Sequence, residues 1–122
     1  QSVLDSALAV HQASLEHNQA QIAAATIPVE NIRGRVLVAA GGADRVWPSM
    51  LFAKQIADRR AKAGLETTKV LHAQAGHRAV LPGEEPAPLR ADLPRGGTPS
   101  ANAEHGAQIL RELLTLMPTT RP

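Results

Sequence analysis

Two residues of this chain have the types and spacing for acid–base chemistry. Asp44 closes the segment Gly41-Gly42-Ala43-Asp44 and His77 closes Gln74-Ala75-Gly76-His77, and each segment follows a run that reads as a β-strand. An aspartate that accepts the Nδ1–H of an imidazole fixes its tautomer and stabilises the imidazolium, while Nε2 takes the proton of a nucleophile. Asp44 and His77 thus have the chemistry of the acid and base of a hydrolytic triad. The third member has no counterpart. There is no cysteine, and none of Ser2, Ser6, Ser14, Ser49 or Ser100 lies in a Gly-x-Ser-x-Gly turn. Each residue alone has a simpler reading, Asp44 as a turn cap that bonds nearby N–H groups and His77 as an ordinary loop histidine. Their matched positions, four residues past two strands of one unit, favour the chemical reading.

The elements that must position them follow from pattern. Arg35-Val36-Leu37-Val38-Ala39-Ala40 is a continuous apolar run ahead of a glycine pair, which fits a parallel strand covered on both faces. Over 67–73, Thr68, Val70 and His72 alternate with Lys69 and Leu71, as in a strand with one wet face or at an edge. Between them, Ser49 is a candidate N-cap for a helix from Met50 to Ala63. Phe52, Ala53, Ile56 and Ala57 form its inward side, and Gly64 lies just past its end. Residues 35–73 therefore read as a parallel βαβ unit, and open α/β sheets keep their chemistry at the carboxyl rim. Both candidate residues fall there.

On either side lie helices and a loop. Leu4, Leu8, His11, Leu15 and Ile22 recur at helical spacing on an Ala- and Gln-rich background, predicting one long amphipathic helix over 1–26 that Pro28 stops. Residues 74–97 are rich in Pro and Gly and longer than an ordinary connection, which marks a functional or mobile loop. A last helix over 98–117 has Thr98 as its cap, Pro99 at its first position, and Ala103, Ala107, Leu110, Leu114 and Met117 as its apolar stripe. Residues 119–122 are expected to form a disordered tail.

Composition narrows the function classes. The 122 residues suit one domain, and a net charge of +2 from thirteen basic and eleven acidic residues is dispersed along the chain. Only Trp47 and Phe52 could stack on a base, so no nucleic-acid partner is expected. No apolar run approaches the ~20 residues of a membrane span. The lack of cysteine fits a reducing, cytoplasmic setting. No histidine pair has the HExxH spacing, so neither a metal nor another cofactor is expected. His72 reads as a half-buried or edge strand residue, and His11, His17 and His105 as solvated or packing residues. Trp47 is expected to pack against the start of the middle helix more than to line a pocket. Gly96-Gly97 reads as a flexible entry to the last helix, and Glu84-Glu85 as a solvated charge pair.

Taken in order, several segments resemble the C-terminal domain of the acyl-CoA thioesterase and bile acid-CoA:amino acid N-acyltransferase family, a branch of the dienelactone-hydrolase-like α/β-hydrolases. They are Ile27-Pro28-Val29-Glu30-Asn31-Ile32, Gly42-Ala43-Asp44-Arg45-Val46-Trp47-Pro48-Ser49, Gln74-Ala75-Gly76-His77 and Gly96-Gly97-Thr98-Pro99-Ser100-Ala101-Asn102-Ala103. The resemblance implies a mostly parallel sheet and a triad of Cys or Ser, Asp and His acting on acyl-CoA thioesters. Asp44 matches the triad acid and His77 the triad base, in the chain order of α/β-hydrolases. The nucleophile has no position in this sequence, and Arg78-Ala79-Val80-Leu81 stands where hydrophobic and aromatic residues would follow the Gly-His pair. Residues 1–122 are accordingly expected to be a partial α/β-hydrolase domain, inactive alone, that acts on an acyl-CoA or ester substrate within an intact protein. Two alternatives are a dienelactone-hydrolase-like esterase or peptidase fragment, and an interaction module that pairs its open sheet edge with a second copy.

Overall fold

In a computed structural model that describes residues 3–118, the two apolar runs become β1 (Leu37–Gly41) and β2 (Thr68–His72). They pair in parallel, with Leu37 opposite Thr68 and Gly41 opposite His72. The chain also forms four helices, α1 (Val3–His17), α2 (Gln19–Ala25), α3 (Ser49–Lys62) and α4 (Pro99–Leu116), of which α3 and α4 pack on the two-stranded sheet. The crossover helix α3 packs chiefly on β1 and α4 chiefly on β2. The core between them is built from small residues. Ala40, Ala53, Ala57, Val70, Ala75 and Ala101 are buried, which lets backbones approach closely. The alternation read in β2 holds, with Val70 buried between exposed Lys69 and Leu71. Strand β1 is not covered on both faces, because Ala39 is exposed.

Helix α3 ends as its sequence predicts. Gly64 adopts φ +74°, its N–H bonds to Ala61 O at 2.9 Å, and the N–H of Leu65 reaches Arg60 O at 3.0 Å. This is a Schellman closure, and the positive φ is why glycine stands there. The start differs from expectation. Ser49 is the first helical residue rather than the cap, and its hydroxyl donates to Gly41 O at 3.1 Å, tying the helix to the end of β1.

The buried face of α3 also carries a residue that its apolar pattern does not announce. Arg60 is only 2% exposed. Its guanidinium donates to the carbonyls of Val29, Ile32 and Glu66 at 3.0, 2.7 and 3.1 Å and to Thr67 Oγ1 at 3.0 Å. Beside it Arg59 forms a two-pronged ion pair with Glu30, Nη2 to Oε1 at 2.8 Å. Together they fasten the end of α3 to the 3-10 turn Val29–Asn31.

Two helix predictions need correction. The single helix expected over 1–26 is broken at Asn18. Asn18 N still donates to Ser14 O at 3.1 Å, but the side-chain amides of Asn18 and Gln19 also donate to Ser14 O and Leu15 O at 2.7 and 3.0 Å, competing with the backbone ladder at the break. In α4 the cap holds, Thr98 Oγ1 accepting from Ala101 N at 3.1 Å with Pro99 next, but the stripe is rotated. Ala101, His105 and Gly106 face inward, whereas Ala103, Leu114 and Met117 are exposed. Gly106 accounts for this, since a Cβ there would lie 1.8 Å from Val80 O, and His105 donates Nε2–H to Val70 O at 2.9 Å. The tail expected at 119–122 lies outside the described residues. Among those described, no helix is long and apolar enough to cross a membrane.

Candidate functional site: an aspartate–histidine couple at the sheet rim

The loops after β1 and β2 stay in register beyond the strands. Gly42 N donates to His72 O and Ala43 N to Ala75 O, both at 2.9 Å. The approach is close enough that a Cβ on Gly41 would lie 2.2 Å from Ala75 O. Two chain segments thus leave the same rim side by side, Asp44 on one and His77 on the other.

The side chains meet, with His77 Nδ1 3.1 Å from Asp44 Oδ2. A carboxylate only accepts, so the bond places the imidazole proton on Nδ1 and leaves Nε2 with a lone pair. Asp44 is buried, its side chain 4% exposed, while that of His77 is 25% exposed. The other carboxylate oxygen, Oδ1, accepts from Val46 N at 2.8 Å and Trp47 N at 3.2 Å. Asp44 is therefore a turn cap as well as the histidine's partner. The cap orients the carboxylate and the free oxygen meets the ring.

A third segment locks the two loops together. Arg95 O accepts from His77 N at 2.8 Å and Arg45 N at 3.4 Å, bridging the residue that carries the ring and the residue after the acid. Gly96, at φ +75°, presses so closely that a Cβ would lie 1.9 Å from Ala43 O. Asn102, in the first turns of α4, accepts from Gly76 N through Oδ1 at 2.8 Å and from Val80 N through its carbonyl at 3.0 Å. The Gly96-Gly97 pair is thus a point of close contact rather than a flexible helix entry.

Trp47 stands directly at the couple. Its ring meets His77 edge-on, centroids 4.8 Å apart and planes at 77°, and His11 of α1 also meets it edge-on, centroids 5.9 Å apart. The tryptophan is 41% exposed and contacts two imidazoles, where sequence reasoning favoured packing against α3. The signal was its place three residues after Asp44, inside the turn that the carboxylate caps.

The remaining candidates fall elsewhere. His72 Nε2 lies 3.0 Å from Glu104 on α4, and His105 is buried under β2, so both join helix to strand. Glu84 is not simply solvated. It pairs with Arg78 and accepts from Leu81 N at 3.0 Å, and that N–H and the guanidinium hold its carboxyl below the usual range. Among the described residues no three His, Cys, Asp or Glu side chains are grouped to hold a metal.

A family model described as BAAT / Acyl-CoA thioester hydrolase C terminal matches residues 2–87 of the chain. The match includes both strands, Asp44 and His77, and stops within the loop before Gly96 and α4. A search of curated proteins finds no match.

Proposed function

The chain belongs to the BAAT / acyl-CoA thioester hydrolase C-terminal family, and we propose that it supplies the acid and base of an acyl-CoA thioester hydrolase or acyltransferase. In this reading residues 1–122 are part of an α/β-hydrolase fold. A Ser or Cys nucleophile is contributed from outside them. The contact of His77 Nδ1 with Asp44 Oδ2 at 3.1 Å, on the adjoining rims of parallel strands, is the observation that carries it.

The chemistry runs through Nε2 of His77. It takes the proton of the nucleophile as that atom attacks the thioester carbonyl, and Asp44 stabilises the imidazolium that results. The imidazolium returns the proton to the departing sulfur, releasing coenzyme A as the thiol and leaving an acyl-enzyme. Water, or an amine in a transferase, then attacks the acyl carbonyl with Nε2 again as base. The proton goes back to the nucleophile as the acyl group leaves. Trp47 forms one wall against the imidazole and limits its rotation.

Asp44→Asn is a clean test, because the amide oxygen can still accept from Val46 and Trp47 while an NH₂ group faces His77. The turn is kept and the wrong tautomer is favoured. In the protein carrying the nucleophile, acyl-CoA turnover should fall by about 10⁴-fold with little change in stability. Residues 1–122 alone should show no turnover. Normal turnover in the Asp44→Asn variant would remove the couple from the mechanism.

A further inference from the structure

Beside the couple, and lined by its chain neighbours rather than by Asp44 or His77 themselves, runs a groove of about 770 Å³ between the long loop and the start of α4. Its charge is one-sided: Arg45, Arg78, Arg90 and Arg95 border it, with no aspartate or glutamate on its walls. Arg78 and Arg90 are engaged by Glu84 and Asp92. Arg45 and Arg95 have no carboxylate partner among the described residues, yet the Arg45 N–H to Arg95 carbonyl bond fixes their backbones together. The Arg95 guanidinium makes one bond, Nη1 to Pro88 O at 3.2 Å. Arg45 and Arg95 thus bring two guanidiniums to the groove without a carboxylate counter-ion, which suits it to an anion. Apart from Gln74, Thr98 and Asn102 the rest of the lining is apolar, and Leu89 lies in it with 99% of its surface exposed.

We infer that this groove binds the phosphorylated nucleotide end of coenzyme A, its phosphates on Arg45 and Arg95 and its adenine over the Pro88–Leu89 stretch. The inference rests on the thioester reading above, which makes coenzyme A the leaving group. That molecule carries its phosphates at the far end of a long pantetheine arm from the reacting sulfur. A basic groove next to the couple, but not containing it, fits such a ligand. Guanidinium forks suit phosphate oxygens, and the positive end of α4 at the groove adds to the attraction.

The test is calorimetric titration of the protein at low salt with coenzyme A, adenosine 3′,5′-bisphosphate, pantetheine and inorganic phosphate. Coenzyme A and the bisphosphate should bind with similar affinity, weakening as salt rises, and pantetheine and phosphate far more weakly. Arg45→Gln and Arg95→Gln should each cost about tenfold or more in affinity. Arg45→Lys should lose less. The backbone bond between the two residues survives all three changes, and circular dichroism checks that the fold does too. Equal binding of pantetheine and coenzyme A, or unchanged affinity in both Gln variants, would overturn the inference. Binding is read without turnover, so arginine-dependent binding, together with normal turnover of Asp44→Asn in the protein carrying the nucleophile, would set aside the hydrolase reading and keep the groove.

Discussion

Asp44 divides its two oxygens between a turn and an imidazole, and neither contact excludes the other. Oδ1 caps the turn through Val46 and Trp47, and Oδ2 meets His77. A bent, capped turn is what aims a buried carboxylate at a ring on the loop that follows the other strand. Gly96 secures the arrangement from the third side, and its contribution can be separated from mere backbone freedom. Gly64 and Gly96 share a positive φ, +74° and +75°, but a Cβ at Gly64 meets open space while one at Gly96 strikes Ala43 O. Gly64→Ala should therefore cost about 1–2 kcal/mol, the left-handed backbone penalty. Gly96→Ala should cost clearly more, because the loop carrying Asp44 must also shift. Urea unfolding of both variants gives the comparison, and equal losses would mean that the contact at Gly96 is slack.

At the scale of elements, the end of α3 is held by two arginines with different dependence on conditions. The buried Arg60 guanidinium donates to four carbonyls and a hydroxyl. Arg60→Met keeps the volume but orphans those acceptors, and chemical denaturation should show a loss of more than about 3 kcal/mol. Arg59 acts through its pair with Glu30, whose carboxyl is held below its ordinary value of 4.5 by hydrogen bonding to Arg59. A carboxyl with a depressed folded-state pKa contributes stability that is present above the unfolded value and lost as pH falls through the folded one. Glu30→Gln should thus destabilise the protein at neutral pH and converge with wild type in acid. Stability curves that stay parallel from pH 7 to pH 3 would show that the pair contributes nothing. These anchors also mark what sequence conveys and what it hides. The strands, the Gly64 stop and the Thr98 cap announce themselves because each depends on a few adjacent residues. The inward turn of Arg60 depends on carbonyls about thirty residues upstream, and the rotated face of α4 on the fit of Gly106 against Val80. The break at Asn18 turns on two amide side chains in a segment whose apolar period runs on unbroken. Asp44 and His77 were legible as a pair from strand-end spacing, whereas the Trp47 contacts came from a three-dimensional turn.

The molecule as a whole presents a sheet of only two strands, each with one edge unpaired among the described residues. A sheet of that width needs further cover, and open edges template pairing with other strands. Met50, Leu51 and Leu71, 38%, 43% and 43% exposed, border a shallow cavity of about 390 Å³ beside α3. We expect residues 1–122 in isolation to self-associate through this side at concentrations above micromolar, and Leu51→Lys with Leu71→Lys to suppress it. Light scattering that gives a monomer for the unmodified chain would contradict this. The reading proposed above puts the nucleophile in an intact protein, outside residues 1–122. The most direct test of the account is a double-mutant cycle on acyl-CoA turnover in that protein, using Asp44→Asn, His77→Ala and both together. If the acid works only through the imidazole, the double variant is no slower than His77→Ala alone; if the two losses multiply, Asp44 and His77 do not act as one unit.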